Sequence, residues 1–168
     1  GPSGFGYGDD DDATIVDPVM SLYVRHEFNA NNIESILKIF LHVDYDDAFV
    51  AYINGVEIAR ANIGTPGVPP PYNQGADSWR EAEMYQGGAP GEYMIDAEEL
   101  LLDSGTSVLA LQVHNFNLGS SDLTLIPFLT LGVDSAPQNA QGLSEHLDVR
   151  DINLHTNFKI SSVGETLV

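Results

Sequence analysis

Phe49-Val50-Ala51-Tyr52-Ile53-Asn54-Gly55-Val56-Glu57-Ile58-Ala59-Arg60 is the stretch that decides the fold. Asn-Gly supplies the two positive-φ positions of a type I′ turn, so the stretch reads as a β-hairpin. That register pairs Ile53 with Val56 and Ala51 with Ile58 on one face. Working outward, residues 36–45 set Leu37, Ile39, Leu41 and Val43 against Lys38, His42 and Asp44, the period of two that a half-buried strand requires. Residues 20–28 alternate in the same way, with Leu22, Val24, His26 and Phe28 on the apolar side. Between the second of these strands and the hairpin, Asp46-Asp47 reads as a tight turn.

Downstream, residues 107–115 and 123–131 are two more alternating strands, joined by the polar turn 117–122 and expected to pair antiparallel. Residues 64–91 are rich in Gly, Pro, Asn, Asp and Gln and form a long excursion between strands. Residues 92–95 return as a strand, and residues 96–102 suit a helical turn with Asp96 as its N-cap. Two short alternating stretches, 149–154 and 158–163, follow a segment of linker composition. Strands separated by polar turns, with no long run at helical spacing, predict an all-β chain: a two-sheet antiparallel β-sandwich of jelly-roll type.

The 168 residues suffice for one main domain with a two-layer core. With 25 acidic and 6 basic side chains the net charge is −19, which repels nucleic acid and anionic membrane surfaces. No apolar run is long enough to insert in a membrane. The chain has no cysteine, so a disulfide framework, a thiolate metal site and a cysteine nucleophile are all excluded. No charged-then-apolar leader stands at the start, and the chain is expected to be an internal piece of a longer protein.

Several segments together resemble the galactose-binding-like jelly-roll modules of large secreted bacterial proteins, which accompany CotH-type and lamin-tail domains. They are Gly-Tyr-Gly-Asp-Asp-Asp-Asp-Ala-Thr (6–14), Tyr-Val-Arg-His-Glu-Phe (23–28), Asp-Tyr-Asp-Asp-Ala-Phe-Val-Ala-Tyr-Ile-Asn-Gly-Val-Glu (44–57), Ser-Val-Leu-Ala-Leu-Gln-Val-His-Asn (107–115) and Ser-Ser-Asp-Leu (120–123). Residues 154–168 are similar to the opening strands of a lamin-tail domain. The resemblance implies a galactose-binding-like module over 1–133, a linker over 134–145 and a C-terminal extension over 146–168. It also implies a non-catalytic binding or spacer role in an extracellular or cell-surface protein, with a glycan or neighbouring domains of the same polypeptide as partner.

Two acidic runs are candidate metal sites. Asp9, Asp10, Asp11 and Asp12 suit a hard cation such as Ca2+, which takes six to eight oxygens in flexible geometry, although an acidic run is also an ordinary solvated loop. Asp44, Asp46 and Asp47 resemble the paired aspartates of protective-antigen-type sugar-binding modules, where such a pair holds calcium and the metal holds sugar hydroxyls. Ala48 stands where those turns carry glycine, and the pair equally well builds a turn by bonding nearby amides.

Ligand-contact candidates are Asp46, Asp47, Asn54, Trp79, Tyr72, His114 and Asn117. Their exposed rings could stack on a sugar face, and their amide or imidazole groups could read its hydroxyls. His114, Asn115, Asn117, Ser120, Ser121 and Asp122 form a polar cluster there, which is also ordinary turn chemistry. His26, His42, His114, His146 and His155 fall in no His-x-x-x-His pattern, and no Gly-x-Ser-x-Gly or phosphate loop is present, so no enzymatic activity is expected. The favoured expectation is a calcium-stabilised carbohydrate-binding or adhesive module; the alternative is a structural spacer without a ligand of its own.

Overall fold

The computed structural model describes residues 4–8, 12–30, 32–97, 102, 105–134, 142–144, 147 and 154–155. Among the described residues ten strands run in the order β1 (Phe5–Tyr7), β2 (Thr14–Ile15), β3 (Ser21–Ala30), β4 (Ile36–Asp46), β5 (Ala48–Ile53), β6 (Val56–Ala61), β7 (Gly91–Asp96), β8 (Gly105–His114), β9 (Leu123–Val133) and β10 (Leu154–His155). One sheet has the order β2-β1-β9-β4-β7, with β10 also on β9, and the other has β3-β8-β5-β6. Every pairing is antiparallel except β1 with β2. Among the described residues no helix is long and apolar enough to cross a membrane. The expected antiparallel β-sandwich is what the chain forms.

The inward faces carry the residues whose alternation defined the strands. Ile39, Leu41 and Val43 of β4, Phe49, Ala51 and Ile53 of β5, Leu109, Leu111 and Val113 of β8, and Leu123, Leu125, Leu129 and Leu131 of β9 share one core. Each large side chain among them contributes about 1.5–3 kcal/mol by leaving water. The outer faces are covered in part as well. Ile63, just before the long excursion, and Ala76, within it, pack on Val50 outside the second sheet, while Leu147 and Met84 pack on Ile126 and Phe128 outside the first.

Five local expectations are corrected. Strands β8 and β9 do not pair with each other: β8 lies between β3 and β5, and β9 between β1 and β4, so their inward residues meet across the core. A register shift at Ile36/Lys38 turns Leu37 out to 57% exposure and sends Ile36 inward instead. The hairpin turn forms at Asn54 (φ 50°) and Gly55 (φ 82°) with Ile53 opposite Val56, but a second shift sets Ala51 against Ala59 rather than Ile58. Asp46-Asp47 is not a hairpin turn; the chain crosses there from the first sheet to the second. Of the expected helical turn at 96–102, Asp96 is the last residue of β7, opposite Lys38, rather than an N-cap, while residues 98–101 and most of the stretches at 149–154 and 158–163 lie outside the described residues.

Candidate functional site

The crossing from β4 to β5 organises one end of the sandwich, because its three aspartates are buried and divide between two tasks. Asp44 Oδ2 accepts the backbone N–H groups of Glu83 (3.0 Å) and Met84 (2.7 Å), which opens a short 3₁₀ turn at Met84–Gln86. Burial pushes the Asp44 carboxyl up, against the downward pull of those two amides and of Arg80. Asp47 Oδ1 accepts the N–H of Arg80 and Oδ2 that of Phe116, both at 2.6 Å. Both aspartates therefore tie distant loops to the sheet. They bond amides, as the turn reading supposed, but amides far away in the chain.

Asp46 does something else. A carboxylate oxygen from each of Asp46, Glu81 and Asp122 lies within 4.8 Å of the others. Asp46 is buried, Asp122 half-buried and Glu81 exposed, so the cluster opens to solvent on one side. On β4 the residues flanking Asp46 in its face are Asp44 and His42, while Val43 and Tyr45 point to the core, so Asp46 stands on the outer face of the first sheet.

Asp12, the described residue of the first acidic run, lies over the same face. Gly6 on β1 lies opposite Thr124 on β9, and Thr124 lies opposite Asp46 on β4. A Cβ on Gly6 would stand 2.2 Å from Asp12 Oδ2 and 1.8 Å from Leu123 O, so only glycine lets the buried Asp12 carboxylate settle over this strand. The Asp12 carboxylate thus lies over the same outer face as Asp46, beside Gly6, whose backbone is two strands or about 10 Å from that of Asp46. Asp9, Asp10 and Asp11 lie outside the described residues.

Electrostatics mark the same end. Burial pushes the Tyr7 hydroxyl up, and after a downward contribution from its bond with Asn115 the charges of Asp122, Asp46 and Asp47 push it further. Asn115 Nδ2 donates to Tyr7 Oη (2.8 Å) and to Val19 O (2.6 Å), which leaves its buried Oδ1 without a hydrogen bond among the described residues. The Arg80 guanidinium is committed: it lies 3.9 Å from the centroid of the Tyr45 ring, donates to Tyr45 O and Glu83 Oε1, and sits 3.8 Å from Asp44 Oδ1.

An all-oxygen, all-carboxylate donor set fits a hard cation of the calcium type better than zinc, which favours imidazole and thiolate ligands. Three carboxylates with oxygens within 4.8 Å of one another, one of them buried, repel one another, and a divalent ion offsets that cost. Of the metal candidates read from the sequence, Asp46 stands in this cluster, Asp12 lies on the same face, and Asp44 and Asp47 spend their oxygens on amides.

The ligand-contact candidates divide by place. Trp79 is 70% exposed and immediately precedes Arg80, whose backbone N–H the Asp47 carboxylate holds together with that of Phe116, itself 43% exposed. Asn117 is exposed beyond Phe116, and its Oδ1 accepts the Gly119 N–H in a local turn. Tyr72 is 71% exposed, with its carbonyl taken by Ser21 Oγ at 2.7 Å. His114 is fully buried, and its Nδ1–H donates to Gln74 O at 2.9 Å. It anchors the excursion and offers nothing to a ligand at the surface.

Asn54 stands at the other end of the sandwich, about 20 Å from Asp47 along β5. Its Oδ1 accepts the Val108 N–H and its Nδ2 donates to Ser107 Oγ, so it fastens the hairpin to β8. Glu81, Asp122 and Phe116 were not among the assigned site residues. Asp122 reads in the sequence as part of a polar cluster or as turn chemistry, and a glutamate and a phenylalanine among turn residues carry no periodic signal.

No protein-family model matches the chain, and no curated protein matches it. Among solved structures it is similar to the α-L-rhamnosidase of Streptomyces avermitilis complexed with L-rhamnose, with 18% identity and a TM-score of 0.46 over 70% of this chain. It is also similar to the native α-L-rhamnosidase of Aspergillus terreus, with 17% identity and a TM-score of 0.44 over 77% of this chain. The chain spans 9% and 14% of the length of those two chains.

Proposed function

We propose that this chain is a non-catalytic, glycan-binding accessory module of a secreted or cell-surface protein, with calcium held by Asp46, Glu81 and Asp122. The observation that carries the reading is the convergence at one end of the sandwich of a hard-cation donor set and two exposed rings, Trp79 and Phe116. Such rings stack on the apolar face of a sugar. A bound calcium that keeps open coordination positions on its solvent side accepts sugar hydroxyls there. Residues 80–84, pinned by Asp44 and Asp47, would hold both parts in place.

Charge favours a neutral ligand. The chain carries −19, and Arg80, beside the cluster, is committed to Tyr45, Asp44 and Glu83, so a carboxylated or sulfated glycan gains no counter-charge from it. The non-catalytic part of the reading rests on the sequence, which holds none of the nucleophile or metal-hydrolase signatures.

A glycan array probed in calcium and again in chelator tests the reading. Calcium-dependent signal on neutral glycans, lost in W79A, is the expected result. Signal on no glycan in calcium, or on anionic glycans alone, would overturn it.

A further inference from the structure

Strand β3 forms one border of its sheet, and among the described residues no strand pairs with its outer side. It is ten residues long, and an open edge of that length is a template for another strand. Asn115 N bonds Met20 O, just ahead of β3, where the register sets Ser21 against His114. By the alternation of antiparallel pairing, the even-numbered residues of β3 spend their backbone groups on β8. Tyr23, Arg25, Glu27 and Asn29 therefore turn their N–H and C=O groups to the open side. The side chains of these same four residues are exposed on the outer face.

Arg25 and Glu27 have no charged neighbour across their own sheet: Arg25 faces Ala110 and Glu27 faces Val108. Among the described residues neither takes part in an ion pair. Charges on an edge strand ordinarily block pairing. These two are of opposite sign and two positions apart, which makes the edge complementary to itself.

We infer that β3 is a homodimerisation edge, pairing antiparallel with β3 of a second copy about a twofold axis through His26. In that register Arg25 of each copy stands opposite Glu27 of the other, and Tyr23 opposite Asn29. The four outward residues of each strand form hydrogen-bonded pairs, about eight bonds in all. A slip of two residues in either direction sets Arg25 against Arg25 or Glu27 against Glu27, which like-charge repulsion disfavours. The interface is isologous and closed, so it stops at two copies, and the two four-stranded sheets become one. The inference is independent of any ligand at the acidic end.

Sedimentation velocity of the full chain over a series from about 1 µM to about 1 mM tests it directly. The wild type is expected to pass from monomer to dimer. R25E and E27R each place like charges across the axis and are expected to weaken association by about tenfold or more. The double variant R25E/E27R restores the complementarity and recovers association. An equimolar mixture of R25E with E27R associates more tightly than either alone. A wild type that stays monomeric throughout would overturn the inference. So would single variants that associate as the wild type does, or a mixture that gains nothing.

Discussion

Asp47 Oδ2 accepts the backbone N–H of Phe116 at 2.6 Å, across 69 residues of chain. Its other oxygen holds Arg80 at the same distance, so one buried carboxylate joins the end of the long excursion to the loop after β8. Two charge-assisted bonds to backbone groups far apart in the sequence are hard to replace, since removing the acceptor leaves both donors desolvated. D47A is therefore expected to lower stability by about 2–4 kcal/mol in urea denaturation, and D47N, which keeps one acceptor, by less. Equal stability of all three proteins would show that these loops are held by something else.

The rings give a second expectation, independent of any metal measurement. W79A and F116A remove exposed surface and should leave the melting temperature unchanged while weakening glycan binding by about tenfold or more. N54S, at the opposite end, disturbs the hairpin fastening at Val108 and Ser107 and should lower stability with affinity retained. Affinity that follows N54S and ignores W79A would move the binding surface to the hairpin end.

A third expectation concerns pH. Burial holds the imidazoles of His114 and His42 below their ordinary range; His114 is lowered further by Arg60 and raised in part by Gln74, and His42 is raised in part by Glu92. His114 donates from Nδ1 to Gln74 O, so its buried Nε2 would carry an unbonded proton when charged. The unfolded chain binds these protons first as pH falls, so stability is full above about pH 6.5 and is lost as pH drops below it toward the depressed folded values. Melting temperatures between pH 7.5 and 5 should fall with acidity, and less steeply in H114Q. A slope unchanged by H114Q would contradict the assignment.

The strands were legible because each buries one face, and burial imposes a period of two on residues such as Leu109, Leu111 and Val113. Which sheet each strand joins was not legible: β8 and β9 read alike, and only the crossing at Asp46-Asp47 sends β5 and β8 away from β4 and β9. Asn54-Gly55 fixed the hairpin turn, whereas the bulges at Ile36/Lys38 and Ala51/Tyr52 left no mark in the pattern. At the site, the sequence marked the aspartates as a group and could not divide their labour. Whether a carboxylate meets distant amides or other carboxylates depends on where residues 80–84 close over the sheet, and that is decided some forty residues away. Glu81 is one acid in a turn-rich stretch and becomes conspicuous only when Asp46 and Asp122 stand beside it.

Calorimetric titration of calcium into chelator-treated protein at neutral pH tests the central claim most directly. The account predicts saturable binding that D46N, E81Q and D122N each weaken, with a melting midpoint that rises by mass action, equivalent to about 2.7 kcal/mol at a hundredfold excess over Kd. An absence of binding heat with an unmoved midpoint, or binding that all three substitutions leave intact, would contradict it.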